Sequence, residues 1–412
     1  MGKVTDVAAQ TGSRKESLPI NSSINRVESV DVYRGFVMLL MMAEVLNFSR
    51  VSQSLPDSSF WRFLSFHQGH VEWTWLSLHD MIQPSFTFLV GVVLPYSIAS
   101  RKSKGASFKS LMLHTVKRSI ILICLGIFLR SMDSDQTYFT FEDTLSQIGL
   151  GYTFLVLLGF SSQRTQIIAL IVILVGYWLA FALYPLPDSS FDYATAGVAA
   201  NWEHNLHGFA AHWNKNTNLA WAFDKWFLNL FPRESPFTNN GGGYSTLSFI
   251  PTLGTMILGL FAGNILTSAK VKKEKVRLFI ITGLCLVVAG VLLHITGINP
   301  IVKRIWTPAW TIFSGGICFL FLAFFYGLVD VAGKKKWSYF LMVIGANSIA
   351  AYVFADGGLR SLLHRSLYIH LGQNFDKLFG APYAPLVSGA FTLLLLWLIL
   401  NWMFKKKIFI RI

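Results

Sequence analysis

Charge is scarce in this chain. Only 14% of its 412 residues are charged and 53% are hydrophobic, where an ordinary soluble domain carries roughly 25% charge, so a water-soluble globular protein is excluded and lipid is the expected solvent. Cysteine is scarce too. Cys124, Cys285 and Cys318 all lie inside apolar runs, so neither a disulfide framework nor a zinc site of the usual spacing is available. The sequence has no Gly-x-x-x-x-Gly-Lys-Ser/Thr loop, no Gly-x-Ser-x-Gly elbow and no His-Glu-x-x-His helix; nucleotide hydrolysis, serine-esterase chemistry and zinc proteolysis therefore lack support. The first residues are polar and mixed in charge, without a short apolar core and small-residue cleavage site, and read as a polar arm over 1–25 rather than a removable signal peptide.

What the chain does have is apolar runs. They fall near 32–48, 76–98, 111–130, 144–161, 165–184, 244–266, 278–297, 310–331, 339–356 and 384–404, each close to the roughly 17–25 residues that cross a bilayer. The expected fold is an all-α integral membrane bundle of about ten transmembrane helices, forming one domain over 26–412, with both termini cytoplasmic. The basic clusters Arg101-Lys102-Ser103-Lys104, Lys270 to Arg277, Lys334-Lys335-Lys336 and Lys405-Lys406-Lys407 fall on one side of that arrangement, the positive-inside pattern. The formal charge of +14 is then topological. It gives no reason to expect nucleic acid, and the lipid bilayer is the first expected partner.

Two external segments are more than connectors. Residues 49–75 carry Trp61, His67, His70, Glu72, Trp73 and Trp75, and residues 185–243 carry Trp202, His204, His207, His212, Trp213, Trp221, Trp226 and an Asn239-Asn240-Gly241-Gly242-Gly243 turn. A loop as long as the second is functional or disordered, and its aromatic content argues for a cap folded over the outer mouth; an interfacial tryptophan belt is the competing account. Inside the spans, Asp80 sits with His79, Gln83 and Pro84, and Gln147, Asn347 and Ser348 are further polar residues. Such groups face a bundle interior, a partner or a water-filled cavity, or they hydrogen-bond helix to helix. Glu44, near the outer end of the first span, reads equally as a snorkelling or interfacial carboxylate. His70, just before the second span, suits a general base or nucleophile at a cavity mouth; a plain polar contact is the alternative.

The run Arg26-Val27-Glu28-Ser29-Val30-Asp31-Val32-Tyr33-Arg34-Gly35 resembles the Arg-x-x-Ser-Leu/Val-Asp-x-Phe-Arg-Gly opening of the heparan-α-glucosaminide N-acetyltransferase family. His70-Val71-Glu72-Trp73, Leu76-Ser77, Asp80, Pro84, Phe86, Phe88 and Gly91 match a second block of that family in spacing. Further matches are Arg118-Ser119 with Cys124 and Gly126, Leu145 with Gly149 and Tyr152, Asn218-Leu219-Ala220 with Asp224-Lys225, and Ser245-Thr246-Leu247. Lys303 with Trp306, Gly345 to Val353, and the terminal Lys-Lys-Ile-Phe-x-x-Ile complete the similarity. Three places depart from the pattern: Trp75 stands where glycine is common, Asn240 where an acidic residue is common, and Glu44-Val45-Leu46-Asn47 interrupts an aliphatic run that ends in asparagine. The lumenal domain that animal members carry before the first span is expected to have no counterpart here, as in a bacterial inner-membrane relative.

The resemblance implies transfer of an acetyl group from cytosolic acetyl-CoA to an amino sugar on the far side, with His70 as the catalytic residue; no metal is expected. Coenzyme A is polyanionic at its nucleotide end and cannot enter a hydrocarbon core of about 30 Å, so only its pantetheine arm could reach an outer histidine. Arg34, Lys117 and Arg118 are candidate phosphate contacts, although the positive-inside rule also accounts for them. Ser119, Asn347 and Ser348 complete the expected donor site, and Glu72, Trp73, Asn218 and Asp224 the expected acceptor site. Asp80 is expected to shape the catalytic site without touching His70, because a helical rise of about 1.5 Å per residue separates them unless the segment bends, as at Pro84. A homodimer is among the expectations. O-acylation of an envelope glycan and a transporter on the same scaffold remain open alternatives.

Overall fold

The computed structural model describes residues 27–188 and 190–410. The expected polar arm, Arg26 of the opening motif and the last residue of the terminal motif lie outside the described residues. Among the described residues the structure is helical, with a single isolated bridge between Thr74 and Val302. The helices are α1 (Glu28–Met42), α2 (Phe48–Ser54), α3 (Ser59–Gln68), α4 (Ile82–Ser103), α5 (Phe108–Arg130), α6 (Thr144–Gly159), α7 (Gln163–Ala182), α8 (Leu219–Phe227), α9 (Phe249–Thr267), α10 (Lys272–Ile295), α11 (Pro308–Tyr326), α12 (Tyr339–Ala346), α13 (Ser348–Asp356), α14 (Leu359–Leu371) and α15 (Ala384–Lys405).

Local chemistry sets several boundaries. Ser107, Asp143, Ser162, Asn218 and Thr307 each accept a backbone N–H at a helix start, which satisfies a donor that the helix itself leaves orphaned. Pro308 follows Thr307 at the first helical position of α11, where a missing N–H costs nothing.

Seven helical segments among the described residues are long and apolar enough to cross a membrane: His79–Ser103, Phe108–Arg130, Gln163–Ala182, Thr246–Thr267, Lys272–Ile295, Pro308–Val331 and Ala381–Lys405. This is the architecture of an integral membrane helical protein. Of the other three expected spans, one is the α12–α13 pair, bent by 70°. The remaining two are the shorter helices α1 and α6, of 15 and 16 residues. The bend falls at Asn347, whose amide donates to Ile408 O at 2.8 Å and accepts from Ile410 N at 3.1 Å. A side chain holding the C-terminal tail thus replaces continuous helix at the break.

Burial sorts the segments. In α9, 72% of the apolar window is buried inside the protein, against 17% in α7 and in α10, so α4, α9 and α11 form the centre and the apolar outer faces of α5, α7 and α10 are left for lipid. Glycine makes the central contact possible. A Cβ at Gly91 of α4 would collide with the carbonyl of Met256, and one at Gly259 of α9 with the carbonyl of Phe88. The two backbones touch, as small residues allow between helices in lipid.

Candidate active site

The segment between α3 and α4 is where the sequence expectation and the structure part. The apolar run 76–98 was expected to be helical from its start, whereas a 3-10 turn begins only at His79 and α4 at Ile82. Residues 69–78 therefore fold back, and the break lies before His79 rather than at Pro84. Asp80 organises that fold. Its Oδ2 accepts the backbone N–H of Val71 at 3.2 Å and of Ser77 at 2.9 Å, and lies 3.0 Å from the Ser77 hydroxyl. Its Oδ1 lies 2.7 Å from His70 Nδ1. Asp80 touches His70 directly, contrary to the expectation from helical rise.

A third group completes the contact. Lys303, on the connection between α10 and α11, brings Nζ to 3.1 Å from Asp80 Oδ1 and 3.1 Å from His70 Nδ1. The lysine is delivered by backbone pairing, since Trp75 N–H donates to Ile301 O at 3.1 Å next to the Thr74–Val302 bridge. The Asp80 and Lys303 side chains are only 1% and 5% accessible, whereas 39% of the His70 side chain is accessible. The ion pair is thus buried behind an imidazole that meets solvent. Burial, followed by the Lys303 ammonium, holds the imidazole below its usual range against the opposing pull of Asp80, so His70 is neutral near pH 7.

His70 opens on a cavity of about 300 Å³ lined by Glu44, Asn47, Ser49, Gln68, Gly69, His70 and His79. Its volume is at the lower end for small-molecule sites. His67, three residues away, faces elsewhere: its Nδ1 accepts the Leu78 N–H at 3.1 Å, which makes it a backbone anchor.

The other expected site residues are dispersed. Trp73 is 1% exposed and donates its indole N–H to Trp213 O at 3.1 Å, pinning the 185–243 loop into a cluster with Tyr177, Phe181, Val302 and Ile305. Asn218 caps α8, accepting Trp221 N–H at 3.1 Å. Asp224 is buried and accepts Thr246 N–H at 2.9 Å; burial pushes its carboxyl up to about 7. Glu72 is exposed. Arg34 pairs with Asp31 at 3.3 Å. Arg118 donates to the Tyr152 hydroxyl at 3.1 Å and lies over that ring, while Ser119 shares a 2.9 Å hydrogen bond with Thr153 and Lys117 is exposed. Ser348 opens α13 beside the bend at Asn347.

Two departures from the family pattern acquire a physical reading. Trp75 has φ +72°, the left-handed region that favours glycine, and its ring meets His294 edge-on at 4.4 Å, away from the His70 cavity lining. Asn240 donates to Glu142 Oε1 at 3.2 Å, where an acidic side chain would set two carboxylates against each other.

Among the residues that sequence reasoning left out of the site are Lys303 and His79. Lys303 was visible only as part of a matching block, and 223 positions separate it from Asp80; no local pattern carries such a contact. Glu44 had been noticed only as a snorkelling or interfacial carboxylate.

No family model matches the chain. Heparan-alpha-glucosaminide N-acetyltransferase of Homo sapiens is 23% identical to it over 369 residues, which is 80% of this chain and 52% of that protein. The Mus musculus protein of the same name is 24% identical over 370 residues, 81% of this chain and 53% of that one. The chain spans about half the length of the curated relatives it matches. Together, the two matches make this chain a distant relative of the heparan-alpha-glucosaminide N-acetyltransferases.

Proposed function

We propose that the chain is a transmembrane acetyltransferase that takes an acetyl group from cytosolic acetyl-CoA and delivers it, through His70, to the amine of a glucosamine-like sugar on the far side of a bacterial inner membrane. The observation that carries this reading is the His70–Asp80–Lys303 contact at the wall of the 300 Å³ cavity. When His70 donates Nδ1–H to Asp80, Nε2 keeps its lone pair, and a neutral ring held below its ordinary range can act at neutral pH as base or nucleophile.

Two routes use that lone pair. In the direct route, Nε2 takes a proton from the acceptor amine as the amine nitrogen attacks the thioester carbon; the C–S bond breaks and the proton passes to the leaving thiolate. In the covalent route, Nε2 itself attacks, the thiolate leaves, and the acetyl group moves from imidazole to amine in a second step. In both, the Asp80 carboxylate stabilises the positive charge that develops on the ring.

Arg34, Lys117 and Arg118 are assigned to the nucleotide phosphates of the donor, with Ser119 and Ser348 as neighbouring polar contacts. Arg118 fits a polyanion: its Nε is buried without a partner, a donor left for a further acceptor. Asn347 already spends its amide on the C-terminal tail, which gives it a structural task at that site.

The test is transfer of labelled acetyl from acetyl-CoA to a panel of amino sugars by the purified chain and by His70→Ala. Transfer by the wild type that falls about 10²–10⁴-fold in the variant, with donor binding retained, is the expected result. A folded wild type that binds no acetyl-CoA would overturn the reading. Mixing the protein with labelled acetyl-CoA before acceptor is added separates the routes, since only the covalent one releases a burst of free CoA matched by acetyl label on the protein.

A further inference from the structure

The cavity beside His70 has a second wall that acyl transfer, as described, does not use. Gln68, two residues before His70, accepts Phe48 N–H at 2.7 Å and donates to Ala43 O at 2.7 Å. This clamps the 3-10 turn Ala43–Leu46, which ends at Asn47 with φ +50°, against the segment that carries His70. Glu44 is thereby held at the cavity. Its Oε1 is 3.0 Å from His79 Nε2, and the His79 and His70 rings are 4.6 Å apart. Its Oε2 is 3.6 Å from an Arg360 guanidinium nitrogen, with 39% of the arginine and 40% of the glutamate side chain accessible. An ion pair so exposed and so long contributes little, and a carboxylate oxygen there can accept from a further donor.

The charge inventory is lopsided. Among the residues lining the cavity, Glu44 alone carries a permanent charge, beside two imidazoles and the neutral Asn47, Ser49, Gln68 and Gly69. Asp80 does not compete for a ligand, because it is 1% exposed and both of its oxygens are engaged by Lys303, His70, Val71 and Ser77.

We infer that Glu44, aimed by His79, is the recognition point for a cationic primary amine on the acceptor. The inference rests on the acetyltransferase reading for the word acceptor. A carboxylate binds an ammonium through a charge-assisted hydrogen bond, roughly twice as strong as a neutral one, so the cavity selects an amino sugar over its hydroxyl counterpart before any chemistry begins. The selection favours transfer to nitrogen over transfer to oxygen.

The experiment uses the full chain in detergent and reads binding of glucosamine and of glucose by saturation-transfer NMR at about pH 6, where the amine is an ammonium. Wild type is expected to bind glucosamine at least about tenfold more tightly than glucose, the worth of one charge-assisted bond. Glu44→Gln is expected to erase the preference, while Glu44→Asp and Arg360→Met, which leave a carboxylate in place, retain it. Equal binding of the two sugars by wild type, binding of neither, or a preference that survives Glu44→Gln in a monodisperse sample overturns the assignment. Acetyl transfer measured on the same samples separates the two readings. An amine preference that needs Glu44, without transfer, sinks the acetyltransferase and keeps the subsite; transfer with no Glu44-dependent preference sinks the subsite alone.

Discussion

His70 Nδ1, Asp80 Oδ1 and Lys303 Nζ lie close enough to pair in all three ways, but one ring nitrogen cannot both donate to the carboxylate and accept from the ammonium. With Nδ1 protonated, as the proposed mechanism requires, Nε2 is free for chemistry and Lys303 serves Asp80 alone. The pH dependence follows. In the proposed mechanism neutral His70 is the working form, and its pKa is lowered, so kcat/KM should rise with pH on a limb whose midpoint lies below about 6.5. Removing the ammonium in Lys303→Met removes one cause of the lowering and should move that limb upward. The same variant leaves the Asp80 charge buried without its cation, at a cost of about 3–5 kcal/mol, which adding Asp80→Asn should largely restore; a thermal-melt double-mutant cycle measures the coupling. A limb that stays in place would show that Lys303 serves stability only. Trp75 supplies a third residue-scale prediction. At φ +72° a non-glycine residue costs about 1–2 kcal/mol, so Trp75→Gly should retain the fold and raise the melting temperature.

At the scale of elements, the backbone contact between α4 and α9 is the feature least tolerant of change. Gly91 and Gly259 each face a carbonyl of the other helix, so Gly259→Val must push the helices apart; a loss of several kcal/mol and a lowered yield of monodisperse protein are expected, by size-exclusion chromatography and thermal melting. Since α4 begins at the Asp80 turn, the same substitution should also depress transfer. The 185–243 loop responds to pH instead. Asp224 folds with its carboxyl raised to about 7 by burial, partly opposed by the Thr246 N–H. The folded state therefore holds a proton that the unfolded chain has lost above about pH 4, and stability falls as pH rises from about 4 to 7, by up to about 4 kcal/mol. Asp224→Asn keeps an acceptor for Thr246 N–H without the charge and should flatten that decline. An unchanged slope of melting temperature against pH would remove Asp224 as its cause.

For the whole molecule, the arrangement that matters is sidedness. Arg101, Lys102 and Lys104 close α4 at its far end, while its near end carries Asp80 and the His70 cavity. If the positive-inside rule sets the topology, single cysteines placed at Asp57 and at Gly105 in a cysteine-free background should react with an impermeant maleimide from opposite faces of the membrane. Labelling from the same face would refute vectorial transfer whatever the chemistry at His70.

The apolar runs, their lengths and the basic clusters were legible in the sequence, because the bilayer imposes its thickness and its charge asymmetry on any chain that crosses it. Seven of the ten expected runs are helices long enough to span and an eighth is the bent pair, as hydrophobic length alone dictates. His70 and Asp80 were also legible as separate residues, one at a mouth and one polar within an apolar run. Their contact was not, because helical rise argued against it and only the backbone donors of Val71 and Ser77 closing around Asp80 fold residues 69–78 back. Lys303 and Glu44 reach the same place from the α10–α11 connection and from the end of α1, through a strand-like bridge and a glutamine clamp. Composition and periodicity determine which segments enter the membrane. Which loops meet at one end of the bundle depends on packing between segments far apart in the chain, and that only the tertiary structure decided.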